Sequence, residues 1–554
     1  MRLHVLTPAT LAFAALAACA PAVSTTPAPS PVPTADTARS APATPAAAAE
    51  RPARNWQLLD PDADGVLGTS TERAYRELLA GKAPKRTVVV AVIDGGVDTA
   101  HADLRPVLWS NPREVANNRA DDDGNGYADD VRGWDFIGGP GGDVHQDTYE
   151  LTRLVARCAK RPAARGDTVL TAAERARCPT LSAELDQKRG EAEQQLQQVR
   201  YISAALTQAM PVLRGALGDS VTTEKVRAMQ PRNAQEQSAK AFYLQLANNG
   251  ITPKDIEDGL EQLETQVKYG YNLDFDPRGI VGDDYRNTAE RRYGNTDVTG
   301  PDADHGTHVA GIIAAARGNG TGIDGVAPTS AVRIMAVRTV PDGDERDKDV
   351  ANAIRYAVDN GAQVINMSFG KAHSPQKAAV DAAVKYADSK GVLMVHAAGN
   401  EGENTAEHPS FPTPAYLDGG RAQNWIEVGA SSWKSADSLA ADFSNWGPQV
   451  DLFAPGVDIL STVQGGGYQR LGGTSMASPV VAGVAALLMA YYPELTAADV
   501  KRILLASATK RGEVRVLRPG GGEHVLFSSL SSTGGVVNAY AALRMAEDIV
   551  RSRR

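Results

Sequence analysis

Cysteine is nearly absent, with three residues in 554, at positions 19, 158 and 178. No two of them make a CxxC pair, so the chain carries neither the usual dithiol redox motif nor a cysteine-based metal knuckle. Basic residues are outnumbered, 57 Lys and Arg against 66 Asp and Glu, for a formal net charge of −9 and a pI near 5.6. That balance argues against broad nucleic-acid binding and is otherwise neutral, because solvated carboxylates alone produce it. Long apolar runs are also missing once the first 20 residues are passed, so no later segment reads as a bilayer-spanning helix. What remains is a globular chain, 42% hydrophobic and long enough for one large domain with additions.

The stretch around which the chain is organised is Gly472-Gly-Thr-Ser-Met-Ala-Ser-Pro479, running into the apolar Val480-Val-Ala-Gly-Val-Ala-Ala-Leu-Leu488. Two glycines and a threonine before such a run predict that Ser475 sits at the N-terminus of a buried helix. Unpaired N–H groups and the positive end of the helix dipole favour negative charge there. A serine so placed is by itself an ordinary N-cap. Two other segments give it chemical company. Asp304-His-Gly-Thr-His-Val-Ala-Gly311 places His305 at the head of another apolar helical pattern. Thr87-Val-Val-Val-Ala-Val-Ile-Asp-Gly-Gly-Val-Asp98 is a β-branched run, as in a strand buried on both faces of a parallel sheet, and it ends in Asp94. The carboxyl ends of such strands are where open α/β sheets place their chemistry.

Asp, His and Ser in that chain order, within Val92-Ile-Asp-Gly-Gly-Val-Asp98, His305-Gly-Thr-His-Val-Ala-Gly311 and Gly473-Thr-Ser-Met-Ala-Ser-Pro479, resemble the three active-site signatures of the subtilase family of serine proteases. The resemblance covers roughly residues 85–140 and 293–545. It implies an α/β fold, a subtilisin-like parallel sheet sandwiched by helices. It also implies a serine endopeptidase in which His305 is the base, Asp94 orients it and Ser475 is the nucleophile. Asn400, after Ala397-Ala-Gly399, resembles the family's oxyanion asparagine, although an Asn before an acidic loop is also a common turn residue. Ser368-Phe369-Gly370 and Ala397-Ala398-Gly399 resemble the two walls of the pocket for the residue before the scissile bond. No acid is evident at the base of that pocket, so a trypsin-like preference is not implied. Gly95 departs from the pattern, since Ser or Thr often follows the family's aspartate. His305 and His308 are three apart, but no Glu follows the first, so the zincin motif is absent.

Met1-Arg-Leu-His and the apolar stretch to Leu16 read as an export signal over residues 1–18. Leu16-Ala-Ala-Cys19 resembles a bacterial lipobox, which would lipidate Cys19 and hold the protein at the cell envelope, facing the periplasm or the cell surface. The competing reading is an ordinary secretory signal with an incidental cysteine. Residues 19–54, mostly Ala, Pro, Thr and Ser, read as a flexible tether. Residues 55–142 read as a lead-in helix and the first part of the catalytic domain, with no cleavable propeptide beyond the signal. Residues 293–554 read as the remainder of that domain.

Between Asp94 and His305 lie about 210 residues, and over 143–292 apolar groups recur at spacings of three and four (Leu196, Val199, Ile202, Leu206; Ile256, Leu260, Leu263). These are amphipathic helices, and the segment reads as a mainly α-helical insertion. Its role is open between a packing appendage, a lid or exosite, and a partner surface. With Cys19 lipidated, Cys158 and Cys178 are the pair left to form a disulfide in an oxidising compartment. Before the insertion, Asp121-Asp-Asp-Gly-Asn-Gly-Tyr-Ala-Asp-Asp130 matches the start of an EF-hand-type loop. Asp121, Asp123, Asn125, the carbonyl of Tyr127 and Asp129 or Asp130 are candidate ligands for a structural Ca2+, with Arg132 where the twelfth-position acid belongs. An acidic turn that merely sits in water is the alternative. Taken together, the expected function is cleavage of proteins or peptides by a membrane-anchored serine endopeptidase, with no cofactor needed for the chemistry. The alternative is a latent or inactive subtilase-like surface scaffold.

Overall fold

The computed structural model describes residues 52–167, 169–434 and 436–553; the signal, Cys19 and the tether up to residue 51 lie outside them. After a short helix α1 (Thr71–Glu77), strand β1 (Val88–Asp94) runs through the interior of a nine-stranded sheet. Its alternate side chains enter two different cores, Val88, Val90 and Val92 one, Ala91 and Ile93 the other. That explains a run with no polar alternation: both faces are covered.

The chain then adds β2 (Gly133–Asp135) at the sheet edge and a small hairpin, β3 (Gly138–Gly139) with β4 (Gly142–Asp143). Five helices follow: α2 (Glu150–Ala159), α3 (Ala172–Leu217), α4 (Thr223–Ala228), α5 (Ala234–Asn248) and α6 (Pro253–Thr265). The 46-residue α3 opens with a Thr171–Glu174 capping box. Its apolar stripe, Leu196, Val199, Ile202 and Leu206, packs on Leu246, Ile256 and Leu263 from α5 and α6, a separate small core. Cys158 and Cys178 are bonded, joining the end of α2 to α3. The expected pair is therefore present.

From α7 (Asp304–Ala314) the alternation resumes with β5 (Val332–Arg338), α8 (Asp347–Asp359), β6 (Val364–Met367), α9 (Lys377–Ser389), β7 (Leu393–Ala397), β8 (Trp425–Ser431) and β9 (Leu452–Pro455). A hairpin, β10 (Ile459–Val463) with β11 (Gly467–Leu471), leads into α10 (Thr474–Tyr491) and α11 (Ala497–Ser507). The last elements are β12 (Thr509–Lys510), the hairpin β13 (Arg515–Leu517) and β14 (His524–Leu526), β15 (Gly535–Val536) and α12 (Ala539–Ser552). Strand order in the large sheet is β12-β15-β9-β8-β7-β6-β1-β5-β2, with every pairing parallel except β12 with β15. Helices α7, α10, α11 and α12 supply the core on one face, and α8 and α9 that on the other. Helix α10 is long and apolar enough to cross a membrane by composition, contrary to the expectation of no such segment, but it is entirely buried in the core.

The insertion is less uniform than its periodicity suggests. Past α6 and one π turn (Gln266–Gly270), residues 271–303 form no helix. They are held instead by buried charge. Arg278 pairs bidentately with Asp283 (2.7 and 2.8 Å) and with Asp349 of α8 (2.6 and 2.8 Å), and Lys348 reaches Asp283 and Glu290. A second cluster fastens α2. Lys371 Nζ lies 2.9 Å from both Glu150 and Asp347, Arg153 pairs with Glu150, and Arg346 pairs bidentately with Asp147. Removing one member strands the others in low dielectric. Lys371→Met is therefore expected to destabilise the fold by about 3–5 kcal/mol in chemical denaturation; a wild-type midpoint would show that the cluster does not hold the insertion.

Candidate active site

Three chain segments place the expected polar groups at the carboxyl edge of the sheet. Asp94 is the last residue of β1, and His305 is the second residue of α7. They meet because the residue after the histidine is Gly306: a Cβ there would lie 2.1 Å from the Gly96 carbonyl and 3.0 Å from Asp94 Cβ. His305 Nδ1 is 2.7 Å from Asp94 Oδ1, which also accepts the Gly95 N–H at 2.8 Å. The pair is largely shielded, with side chains 14% and 3% exposed. A carboxylate on Nδ1 fixes the tautomer in which Nε2 is the basic nitrogen. That Nε2 is buried and has no partner, and neither has Asp94 Oδ2.

Ser475 is the second residue of α10, with Gly473 at the N-cap. Its N–H belongs to the first turn and has no intrahelical acceptor. Pro479, four residues on, has no N–H to give to the Ser475 carbonyl. Ser368 Oγ takes over that duty at 2.9 Å, and is itself held by Asn366 Nδ2. The Ser475 hydroxyl donates to the Ser368 carbonyl at 3.1 Å rather than to His305.

Asn400 follows β7 across Gly399, whose φ of +105° would strain any side chain. Its Oδ1 accepts from Thr474 N at 2.8 Å and Thr474 Oγ1 at 3.1 Å, which leaves Nδ2 as the donor not used in holding the amide. The two expected pocket walls, Ser368-Phe369-Gly370 and Ala397-Ala398-Gly399, follow or close adjacent strands β6 and β7. Sequence reasoning overlooked His396 between them. Fully buried, it contacts Glu427 Oε1 at 2.8 Å and the Phe369 carbonyl at 2.9 Å, so it braces the first wall. A lone histidine inside the apolar Val392-Leu-Met-Val run was the available signal.

The second histidine of the motif is a packing residue. His308 Nε2 bridges the carbonyls of Ile459 and Gln469, both at 3.0 Å, and burial pushes its pKa down to about 3.

The acidic loop is rearranged relative to its motif. Carboxylate oxygens of Asp123, Asp130 and Glu114 come within 4.8 Å of one another. Burial, partly offset by hydrogen bonds, raises Asp130 to about 6. Glu114 was not among the candidates. Asp121 and Asp129 do not join this group: Asp121 accepts the N–H groups of Asn125 and Gly126, and Asp129, at φ +58°, accepts those of Asn118 and Arg119. Asn125 donates to Asp130 and accepts from Tyr127 N, and the Tyr127 hydroxyl reaches the Arg291 carbonyl. Asp103, near β1, is saturated by Asn319 Nδ2, Ile323 N and Tyr468 Oη.

The sequence profile described as the subtilase family matches residues 85–522. Among curated proteins, "Thermophilic serine proteinase" of Bacillus sp. (strain AK1) is 44% identical over 228 residues, 41% of this chain and 50% of that protein. "Subtilisin DY" of Bacillus licheniformis is 39% identical over 259 residues, 47% of this chain and 83% of that one. The chain thus spans half the length of the first and most of the second. A solved structure of proteases from Pseudoalteromonas arctica PAMC 21717 aligns with a TM-score of 0.46 at 19% identity, over 90% of this chain and 98% of that one.

The buried neutral His308 generates a pH dependence of stability. Its folded pKa lies below the unfolded value of 6.5, so below pH 6.5 the unfolded state binds the extra proton. Its contribution is complete above that pH and falls by about 1.4 kcal/mol per unit as pH drops toward 3. His308→Gln keeps an N–H donor for the two carbonyls and is expected to flatten the acid limb by about one proton, read from unfolding midpoints between pH 6.5 and 4. An unchanged slope would refute it.

Proposed function

The chain belongs to the subtilase family, and on that premise we propose that it is an exported serine endopeptidase that cuts proteins or peptides through an acyl-enzyme on Ser475. The observation that carries the reading is the shielded Asp94–His305 pair, whose Nε2 has no partner, at one cavity with Ser368, to whose carbonyl the Ser475 hydroxyl is bonded. In this mechanism Ser475 turns from the Ser368 carbonyl to His305 Nε2, which takes its proton as Oγ adds to the peptide carbonyl. Asp94 holds the imidazole tautomer and balances the imidazolium. The negative oxygen is received by the Ser475 N–H and Asn400 Nδ2, whose amide Thr474 fixes from behind. The imidazolium then protonates the leaving amine, and water hydrolyses the ester by the same steps in reverse.

Two further assignments complete the proposal. The lipobox-like Leu16-Ala-Ala-Cys19 would anchor the protein to the bacterial envelope through Cys19, leaving residues 20–54 as a tether. The group Glu114, Asp123 and Asp130 fits a Ca2+ ion by donor chemistry, with hard oxygens and one carboxylate whose pKa burial already raises. The ion would neutralise that repulsion and stiffen the loop beside β2; it enters no chemical step.

The test is labelling of residues 20–554 with a fluorophosphonate probe beside Ser475→Ala. Wild type is expected to label and the variant not to. Equal labelling of both, or of neither, would overturn the assignment, and the second outcome would favour a scaffold. EDTA is expected to reduce labelling through the acidic loop. Asn400→Ala should lower kcat by about 10²–10³ with little change in KM, the magnitude for loss of one such donor from a subtilisin.

A further inference from the structure

The cleft shared by the Asp94–His305 pair and Ser368 is open to solvent and extends past the reacting groups. Asp94 and His305 form one wall; Phe369, Val340 and Pro341 give it apolar surface. The remainder is acidic, with Asp302 and Asp304 from the turn into α7 and Asp342 from the loop after β5. Arg338 and His145 also line it. Arg338 is paired with Asp135 at 2.8 Å and gives its other donors to the carbonyls of Gly95 and Val144. His145 Nδ1 lies 2.8 Å from the Gln146 amide nitrogen.

A second, independent observation points to a bound donor. Asp94 is 2% exposed, and its Oδ2 is buried with no partner while Oδ1 serves both His305 and Gly95 N. Gly95 has no side chain to supply one. A shielded carboxylate oxygen left unpaired is costly, and it is rare in folded proteins.

The register of a bound peptide decides which part of it enters. Successive side chains of an extended strand point to opposite sides. If the residue bearing the attacked carbonyl sends its side chain between the Ser368–Gly370 and Ala397–Gly399 walls, the residue before it points the other way, over His305. We propose that this cavity is a subsite for lysine or arginine at that preceding position. The long apolar stem lies along Val340 and Phe369, and the cation is held between Asp302 and Asp342. The subsite rests on the endopeptidase reading.

The test compares kcat/KM for peptides carrying Lys, Ala or Glu at that position, with wild type and with the double variant Asp302→Asn/Asp342→Asn. Lys is expected to exceed Ala by about tenfold, the size of a partly desolvated ion pair, and Glu to be poorest. The Lys-to-Ala ratio should fall toward one in the double variant and shrink as NaCl is raised. Equal cleavage of the three peptides by wild type, or a ratio the double variant leaves unmoved, would overturn the subsite. A calorimetric arm with Ser475→Ala keeps the two readings apart. Tighter binding of the Lys than of the Ala peptide supports the subsite even where no peptide is cut, an outcome that would overturn only the endopeptidase reading. Equal binding overturns the subsite itself.

Discussion

Helix α10 is buried over eighteen consecutive residues from its first, so the polar groups of its first turn must find partners in the protein or in a ligand. Much of the site's arrangement answers that requirement. Asn400 takes the Thr474 N–H, Gly473 N reaches the Gly456 carbonyl, and Ser368 Oγ reaches the carbonyl that Pro479 leaves unpaired. These bonds tie α10 to the ends of β6, β7 and β9, which is why the two pocket walls and the Asn400 amide stand where the serine does. A helix less deeply buried could be solvated at its start and would hold none of them in place.

The same parallel sheet that buries α10 delivers Asp94 and the two pocket walls to one edge, because parallel strands all end on the same side. Asp94 and His305 are 211 residues apart in sequence but 2.7 Å apart in space, and the intervening helices do not disturb that contact. The insertion leaves the sheet after β2 and returns at α7, so its own core of α3, α5 and α6 forms outside the sheet. It is still not a loose appendage. Glu150 of α2, held by Arg153, pairs with Lys371, the residue after the Ser368–Gly370 wall, and so the insertion braces one side of the cleft.

What the sequence disclosed was local. A β-branched run ending in an acid, glycines beside a serine, and apolar spacings of three and four are each readable within ten or fifteen residues. They located β1, α7, α10 and the helices of the insertion. The acidic loop misled because a motif specifies residue types and not directions. Asp129 adopts a left-handed turn that aims its carboxylate at two backbone N–H groups, while Glu114, outside the motif, folds back into the cluster. The two ion clusters were illegible for another reason. Asp147 and Arg346 are 199 residues apart, and Arg278 and Asp349 are 71 apart. Scattered single charges carry no periodic signal, and only the folded backbone reveals that each is buried and paired.

Gly95 shows how one departure from a pattern acts through what it fails to supply. A hydroxyl at this position would add a local hydrogen-bond donor. Oδ2 of Asp94 is buried without a protein partner, a costly state for a carboxylate oxygen. Nor would a larger side chain enter freely, since a Cβ on Gly95 would come within 3.1 Å of the Val340 carbonyl. The crowding that keeps the position small comes from the backbone that also walls the acidic cavity. Steric closeness at Gly95 and the carboxylates of the cleft therefore belong to one arrangement, the one that the proposed subsite would use for a substrate cation.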